Sequence, residues 1–153
     1  MLVAAAVVFI FYIQRGAHLE LNGSILKVRA LAADAGSSIA VVDFRFANTS
    51  NYPFVVRTVT VTMEDAQGRS FEGSPIADVD ATKLFQYYPV LGQKFNETLL
   101  IRTRVLPHQF MDRMVTARFE TPEHVLDGRK RIRVTVEDVD GAVSEIAEAE
   151  RKK

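Results

Sequence analysis

The sequence predicts an all-β protein, an antiparallel β-sandwich of about seven strands joined by one or two short helices. Three observations point there. Apolar residues recur with a period of two in short runs rich in valine, isoleucine, threonine and phenylalanine. Turn signals built on glycine, proline and aspartate separate those runs. No stretch carries the long amphipathic periodicity of a packed helix, so sheet must cover sheet.

Composition sets the frame. A chain of 153 residues is expected to form one domain with appendages. Charged residues at 25% and hydrophobic residues at 48% are ordinary values for a folded domain. Lysine plus arginine and aspartate plus glutamate both number 19, so no global field favours nucleic acid. There are no cysteines, which excludes disulfides, thiolate zinc sites and cysteine nucleophiles.

From Met1 to Ile13 nothing is charged. A bilayer-spanning helix needs about 20 apolar residues, and a secretory signal would carry basic residues before the run and a small-residue cleavage site after it. Ala4-Ala5-Ala6 and the missing alternation argue against a core strand. The run is therefore read as the C-terminal part of an anchor helix that starts upstream, with Tyr12 at the interface and Gln14-Arg15-Gly16 as its polar exit. The expected organisation is an anchor over 1–16, a sandwich over 17–147 and a charged, frayed tail over 148–153.

The strands follow in order. In Leu26–Ala30 the even positions are apolar, with Lys27 and Arg29 facing out. In Ala40–Phe46 the even positions point inward, leaving Asp43 and Arg45 opposite. In Thr58–Glu64 the odd positions turn inward, and Asp65–Gly68 closes a hairpin into Arg69–Phe71. A helix over Asp78–Tyr88 is predicted, capped by Asp78, stopped by Pro89, with Leu84, Phe85 and Tyr88 on one face.

Leu99, Ile101 and Val105 predict another strand, turning at Pro107-His108 into Val115, Ala117 and Phe119. Outward residues of that hairpin would then pair Arg104 with Asp112 and leave Thr116 and Arg118 outside. Thr121-Pro122-Glu123 opens a helical turn that Gly128 closes. Ile132, Val134 and Val136 form the next strand, the turn Asp138–Gly141 ends it, and Ala142–Ala147 adds an edge strand.

The run Val42-Asp43-Phe44-Arg45-Phe46-Ala47-Asn48-Thr49-Ser50, followed by Val59-Thr60-Val61-Thr62-Met63 and Gly68, resembles bacterial immunoglobulin-like domains of the water-stress and late-embryogenesis-abundant type. Lys83–Leu91, with its aromatics and proline, and Phe119–Arg133 are similar to later segments of such domains. The resemblance covers roughly Leu19 to Gly141. It implies a seven-stranded immunoglobulin-like sandwich, often membrane-tethered and facing outward, and supplies no catalytic residue.

Candidate chemistry is sparse. His18, His108 and His124 are far apart and lack metal-ligand spacing. Asp78 and Asp80, with Glu64 and Asp65, could line a calcium site only if their loops converge, and plain turns account for them equally well. Nucleophile-elbow, phosphate-loop and dinucleotide-loop motifs are absent. No cofactor, metal or small-molecule substrate is expected.

Asn48-Thr49-Ser50 reads as an Asx turn at a strand end rather than a glycosylation acceptor. Arg129-Lys130-Arg131 and Arg133 read as solvated charges protecting a sheet edge rather than a lipid-headgroup site. The candidate interaction patch is Phe85, Tyr87, Tyr88 and Phe95, with Phe85 and Tyr88 expected to plug the core. The functional expectation is a non-enzymatic, membrane-tethered, extracytoplasmic binding or structural module. The alternative is an accessory subunit of a membrane complex, its helix presenting the Ala4–Ala6 face to other helices. Partners would be the membrane, through the N-terminal helix, and a protein.

Overall fold

A computed structural model of the chain describes residues 19–151. The predicted anchor over 1–16 and His18 lie outside the described residues. Among those described, no helix is long and apolar enough to cross a membrane.

Among the described residues eight strands form: β1 (Leu21–Ala32), β2 (Ser38–Asn48), β3 (Phe54–Glu64), β4 (Ser70–Pro75), β5 (Arg104–Val105), β6 (Phe110–Phe119), β7 (Arg131–Asp138) and β8 (Val143–Ala147). Two helices, α1 (Asp78–Tyr87) and α2 (Glu123–Asp127), and a 3-10 turn over Pro89–Leu91 complete the order. All paired strands are antiparallel, in the order β1-β2-β6-β4-β3-β7-β8, with the two-residue β5 beside β3. The fold is an all-β sandwich.

β4 holds the two layers together. Its first four residues pair with β3 and its last two with β6. Gly73 sits at that switch, where an added Cβ would fall 2.8 Å from the Ala117 Cβ and 2.9 Å from the Phe119 ring, so no larger residue fits. At the opposite edges the Leu21 amide donates to Ser144 Oγ of β8 at 2.9 Å.

The core between the layers follows the alternation read from sequence. Ala40, Val42, Phe44 and Phe46 from β2 meet Val61 and Met63 from β3, Val115, Ala117 and Phe119 from β6, and Ile132, Val134 and Val136 from β7. Each large apolar side chain fully buried this way contributes about 1.5–3 kcal/mol.

Several expectations are corrected. β1 carries a bulge between Ile25 and Lys27 that leaves Leu26 out of register. Leu26 is therefore half exposed rather than inward, whereas Val28 and Ala30 still pack on the core. β3 has a second irregularity between Val56 and Thr58, which switches its inward set from even residues to odd ones. Residues 99–105 do not make a long strand. Leu99 enters the core, Leu100 and Ile101 are exposed, and only Arg104–Val105 pairs, with β3.

Pro107-His108 is thus a connection between layers, not a hairpin. Asp112 lies opposite Arg45 of β2 instead of Arg104, and the Arg45 guanidinium donates to both its carboxylate oxygens at 2.7 and 2.8 Å. Thr116 is buried rather than outward. β7 is internal between β3 and β8, so its basic residues do not guard an edge.

The helix starts also differ. Ala77 occupies the N-cap of α1 without a side-chain cap, and Pro122 takes that position in α2. Asp78 and Thr121, expected as caps, do not fill that role.

Candidate functional site

The outer face of the β1-β2-β6 layer is not solvated. The segment from Ile76 to Thr98 folds across it, and Ala81 and Leu91 pack on Leu31, Ile39, Val41 and Met114. Leu84 and Phe85 add partly buried contacts to this second cluster. The strand β2 is consequently buried on both faces from Ser38 to Phe44.

Under this cover lies the most unusual polar arrangement in the described chain. Arg29 and Asp43 point away from the main core, yet their side chains are only 7% and 3% exposed. Arg29 Nη2 donates to Asp43 Oδ2 at 2.7 Å, and Nη1 donates to the carbonyls of Leu91 at 2.8 Å and Gln93 at 2.6 Å. Asn96 Nδ2 donates to the other Asp43 oxygen at 2.8 Å. The guanidinium lies 4.8 Å from the Phe85 ring centre and 5.3 Å from that of Phe95.

One ion pair thus gathers three points of the covering segment and two aromatic rings. Such rings attract a desolvated guanidinium by up to roughly 2 kcal/mol each. The Arg29 Nε has no partner. Chemically the arrangement is a clasp: its cation is paired and both its carboxylate oxygens are engaged.

The predicted aromatic patch divides. Phe85 and Phe95 converge on Arg29, and Lys27 Nζ also lies 5.4 Å from the Phe95 ring. Tyr87 and Tyr88 do not take part. Tyr88 is 44% exposed and so does not plug the core. The two tyrosines are among five exposed large apolar side chains of the covering segment, the others being Val79, Val90 and Phe95.

The other candidates are accounted for by local contacts. Asp78 accepts from Thr98 Oγ1 at 2.6 Å and from Lys94 at 3.3 Å, and Asp80 lies 3.5 Å from Lys83. Glu64 and Asp65 are engaged separately, by Arg131 and Arg69. Among the described residues no three histidine or acidic side chains converge to hold a metal ion. His108 takes a positive φ of 61° and meets Asn51 Oδ1 at 3.1 Å. Asn48 is buried in an Asx turn, accepting from the Ser50 amide and hydroxyl and donating to Tyr52 and Val105 carbonyls.

The basic run that leads into β7 is consumed in ion pairs. Arg129 is buried and donates twice to Glu148 at 2.9 and 2.6 Å. Glu64 gathers Lys130, Arg131 and Arg133. The beginning of the tail is tied down rather than frayed, since the Arg151 amide donates to the Lys130 carbonyl and its side chain to Asp127. A cavity of about 340 Å³ beside these residues is lined by Asp127 and by Arg129, Lys130 and Arg151, three cations already committed to protein partners.

These pairs predict acid sensitivity. The Arg131 hydrogen bond holds the Glu64 carboxyl below its usual value, with its charge and that of Lys130 acting the same way against burial. The hydrogen bond from Arg45 lowers Asp112, and that from Thr98 lowers Asp78. Burial pushes Asp65 up, but the Arg69 and Gln67 amides and the Arg69 guanidinium outweigh it and leave it lowered. A carboxyl depressed in the folded state contributes stability in full above its unfolded value, about 3.9–4.3. That contribution is lost as pH falls through the folded value. Thermal midpoints should stay level from neutrality to about pH 5 and fall below about pH 4, with a shallower fall in Glu64→Gln. A midpoint independent of pH across that range would contradict this account.

No protein-family model matches the sequence, and no curated protein does. Two solved structures are similar in fold. One is a chain of the archaellum periplasmic stator protein complex FlaF and FlaG from Sulfolobus acidocaldarius, at 9% identity and a TM-score of 0.35, covering 86% of this chain and 88% of that one. The other is an uncharacterized β-sandwich protein from Clostridium difficile 630, at 10% identity and a TM-score of 0.40, covering 83% and 84%. At these values neither likeness speaks to function.

Proposed function

We propose that this chain is a non-enzymatic module, held at a membrane by its N-terminal apolar run, that serves outside the cytoplasm as a binding or structural domain. In this reading the domain is immunoglobulin-like, of the water-stress and late-embryogenesis-abundant type. The support is the strand order, with β1-β2-β6-β4 in one layer and β3-β7-β8 in the other. That order corresponds to the ABED and CFG sheets of a constant-type immunoglobulin domain.

The observation that carries the functional reading is where charge and apolar surface are spent. The ion pairs Arg29–Asp43 and Arg129–Glu148 serve internal clasps. Large apolar side chains, by contrast, remain exposed: Tyr87 is 74% and Val90 78% accessible. A protein arranged this way makes contacts rather than bonds.

Removing Met1–Arg15 tests the tether. The first strand begins at Leu21, so the shortened chain should leave the membrane fraction and keep a single cooperative unfolding transition. Loss of folding would make the run part of the core, and retention at the membrane would defeat the tether. On the side of the membrane, protease added to intact spheroplasts should digest the full-length domain.

The second reading, an accessory subunit, is favoured by the exposure of Tyr87, Val90 and Phe95 on the covering segment. In that case Tyr87→Ala/Val90→Ser should leave the thermal midpoint unchanged while reducing the size of the native membrane particle that contains the chain.

A further inference from the structure

The two ends of the sandwich differ in kind. The described chain begins at Leu19, and β1 starts with Leu21 opposite Asn48, the last residue of β2. This proximal end also carries loop 49–53, the 106–109 connection, the start of β6 and the turn between β7 and β8. Hydrogen bonds stitch them together: the His108 amide donates to the Asn48 carbonyl, the Thr49 amide to Glu20, and the Val139 amide to Val55.

Here the apolar side chains face outward. Tyr52, Leu106, Phe110, Val139 and Val143 are each about half exposed or more, and Phe110 reaches 74%. Ile101, in the segment bonded to Val56, is 65% exposed. Arg102 and Arg104 are exposed beside them and make no ion pair with a described carboxylate. Glu20 and Asp140 are the exposed acids nearby.

The distal end holds the 33–37 turn, the β3–β4 hairpin, α2 and residues 148–151. None of the large exposed apolar side chains among the described residues lies there. Its surface is the ion-paired one, with Asp34–Arg118, Arg69–Asp65 and Lys130–Glu150.

From this polarity we infer that the proximal loops are a lipid-seating surface, resting in the headgroup region of the bilayer to which the N-terminal run is attached. The inference builds on the tether proposed above and adds a contact made by the domain itself. Chain connectivity favours lipid over another occupant. Only Gln14 to His18 separates the uncharged run from Leu19, and five residues span roughly 17 Å at full extension. The headgroup layer takes up about 5–8 Å on each side of the hydrocarbon, so an anchored chain keeps this end at the interface. Aromatic and aliphatic side chains gain from burial at that depth. Arginines beside them can extend along apolar surface to phosphate oxygens.

The chain has no cysteines, so single labelling positions can be introduced cleanly. The full chain, reconstituted in phosphatidylcholine–phosphatidylglycerol vesicles, is labelled with an environment-sensitive fluorophore at Leu106→Cys, at Val139→Cys or, at the far end, at Gln67→Cys. Nitroxide-bearing lipids should quench the first two several-fold more strongly than the third, with blue-shifted emission. Tyr52→Ser/Phe110→Ser should reduce quenching at residue 139 while the chain still floats with the vesicles. Flotation with all three labels equally water-exposed overturns the seating surface and leaves the tether standing. Failure to float overturns both. Shielding of residues 106 and 139 in native membranes but not in pure lipid overturns lipid as the occupant and points to a protein.

Discussion

Alanine at Phe44 or at Phe46 is expected to lower the unfolding free energy by ~3–5 kcal/mol each, read from urea midpoints at constant slope. Both side chains are fully buried, and their rings stack with centroids 5.5 Å apart. They lie on β2, which has β1 on one side and β6 on the other, so the strand cannot shift to fill the void. Because the rings touch, the double variant should lose a different amount from the sum of the single ones. Arg45, between them, is exposed. Its ion pair with Asp112 is solvent-screened, so Arg45→Ala should leave the midpoint nearly unchanged. Equal losses at all three positions would show that alternation does not govern this strand.

Asp43→Ala should cost a comparable ~3–5 kcal/mol, for a different reason. The substitution removes little volume but leaves the Arg29 charge buried without a counterion, and Asn96 without its acceptor. Replacing both partners, Arg29→Met with Asp43→Leu, should recover most of the loss, because a desolvated ion pair contributes little beyond an apolar pair of similar size. The cover should respond separately. Without Arg29, the Leu91 and Gln93 carbonyls lose their donor, so amide exchange over 88–98 should quicken even where global stability returns. If the double variant is as unstable as Asp43→Ala, or exchange is unchanged, the pair is not the clasp described here.

What was legible before folding, and what was not, is best seen along β2. Phe44 and Phe46 inward and Arg45 outward follow from alternation, as do Ile132, Val134 and Val136 on β7. Asp43 and Arg29 have the same outward alternation as Arg45, yet they are buried. The one local sign was Ala40-Val41-Val42, apolar on both faces, which marks a strand covered twice. Nothing near Arg29 in the chain announced that the Leu91 and Gln93 carbonyls, some sixty residues on, would accept its hydrogen bonds. The Arg104–Asp112 pairing failed for the same reason: Pro107-His108 looks like a hairpin locally, but its arms belong to different layers.

The sequence by itself therefore determined most of the strands, the shared faces of β2 and β7 and the turns at Asp65–Gly68 and Asp138–Gly141. These depend on the alternation of Cβ atoms along an extended backbone and on the φ preferences of a few turn residues. The tertiary structure decided three further things: which faces are covered, where a bulge shifts the parity of β1 and β3, and which end carries exposed apolar loops. Each depends on how segments distant in the chain meet, and the free energy of burying a charge or exposing a phenylalanine is set by those neighbours rather than by the residue's own place in the pattern.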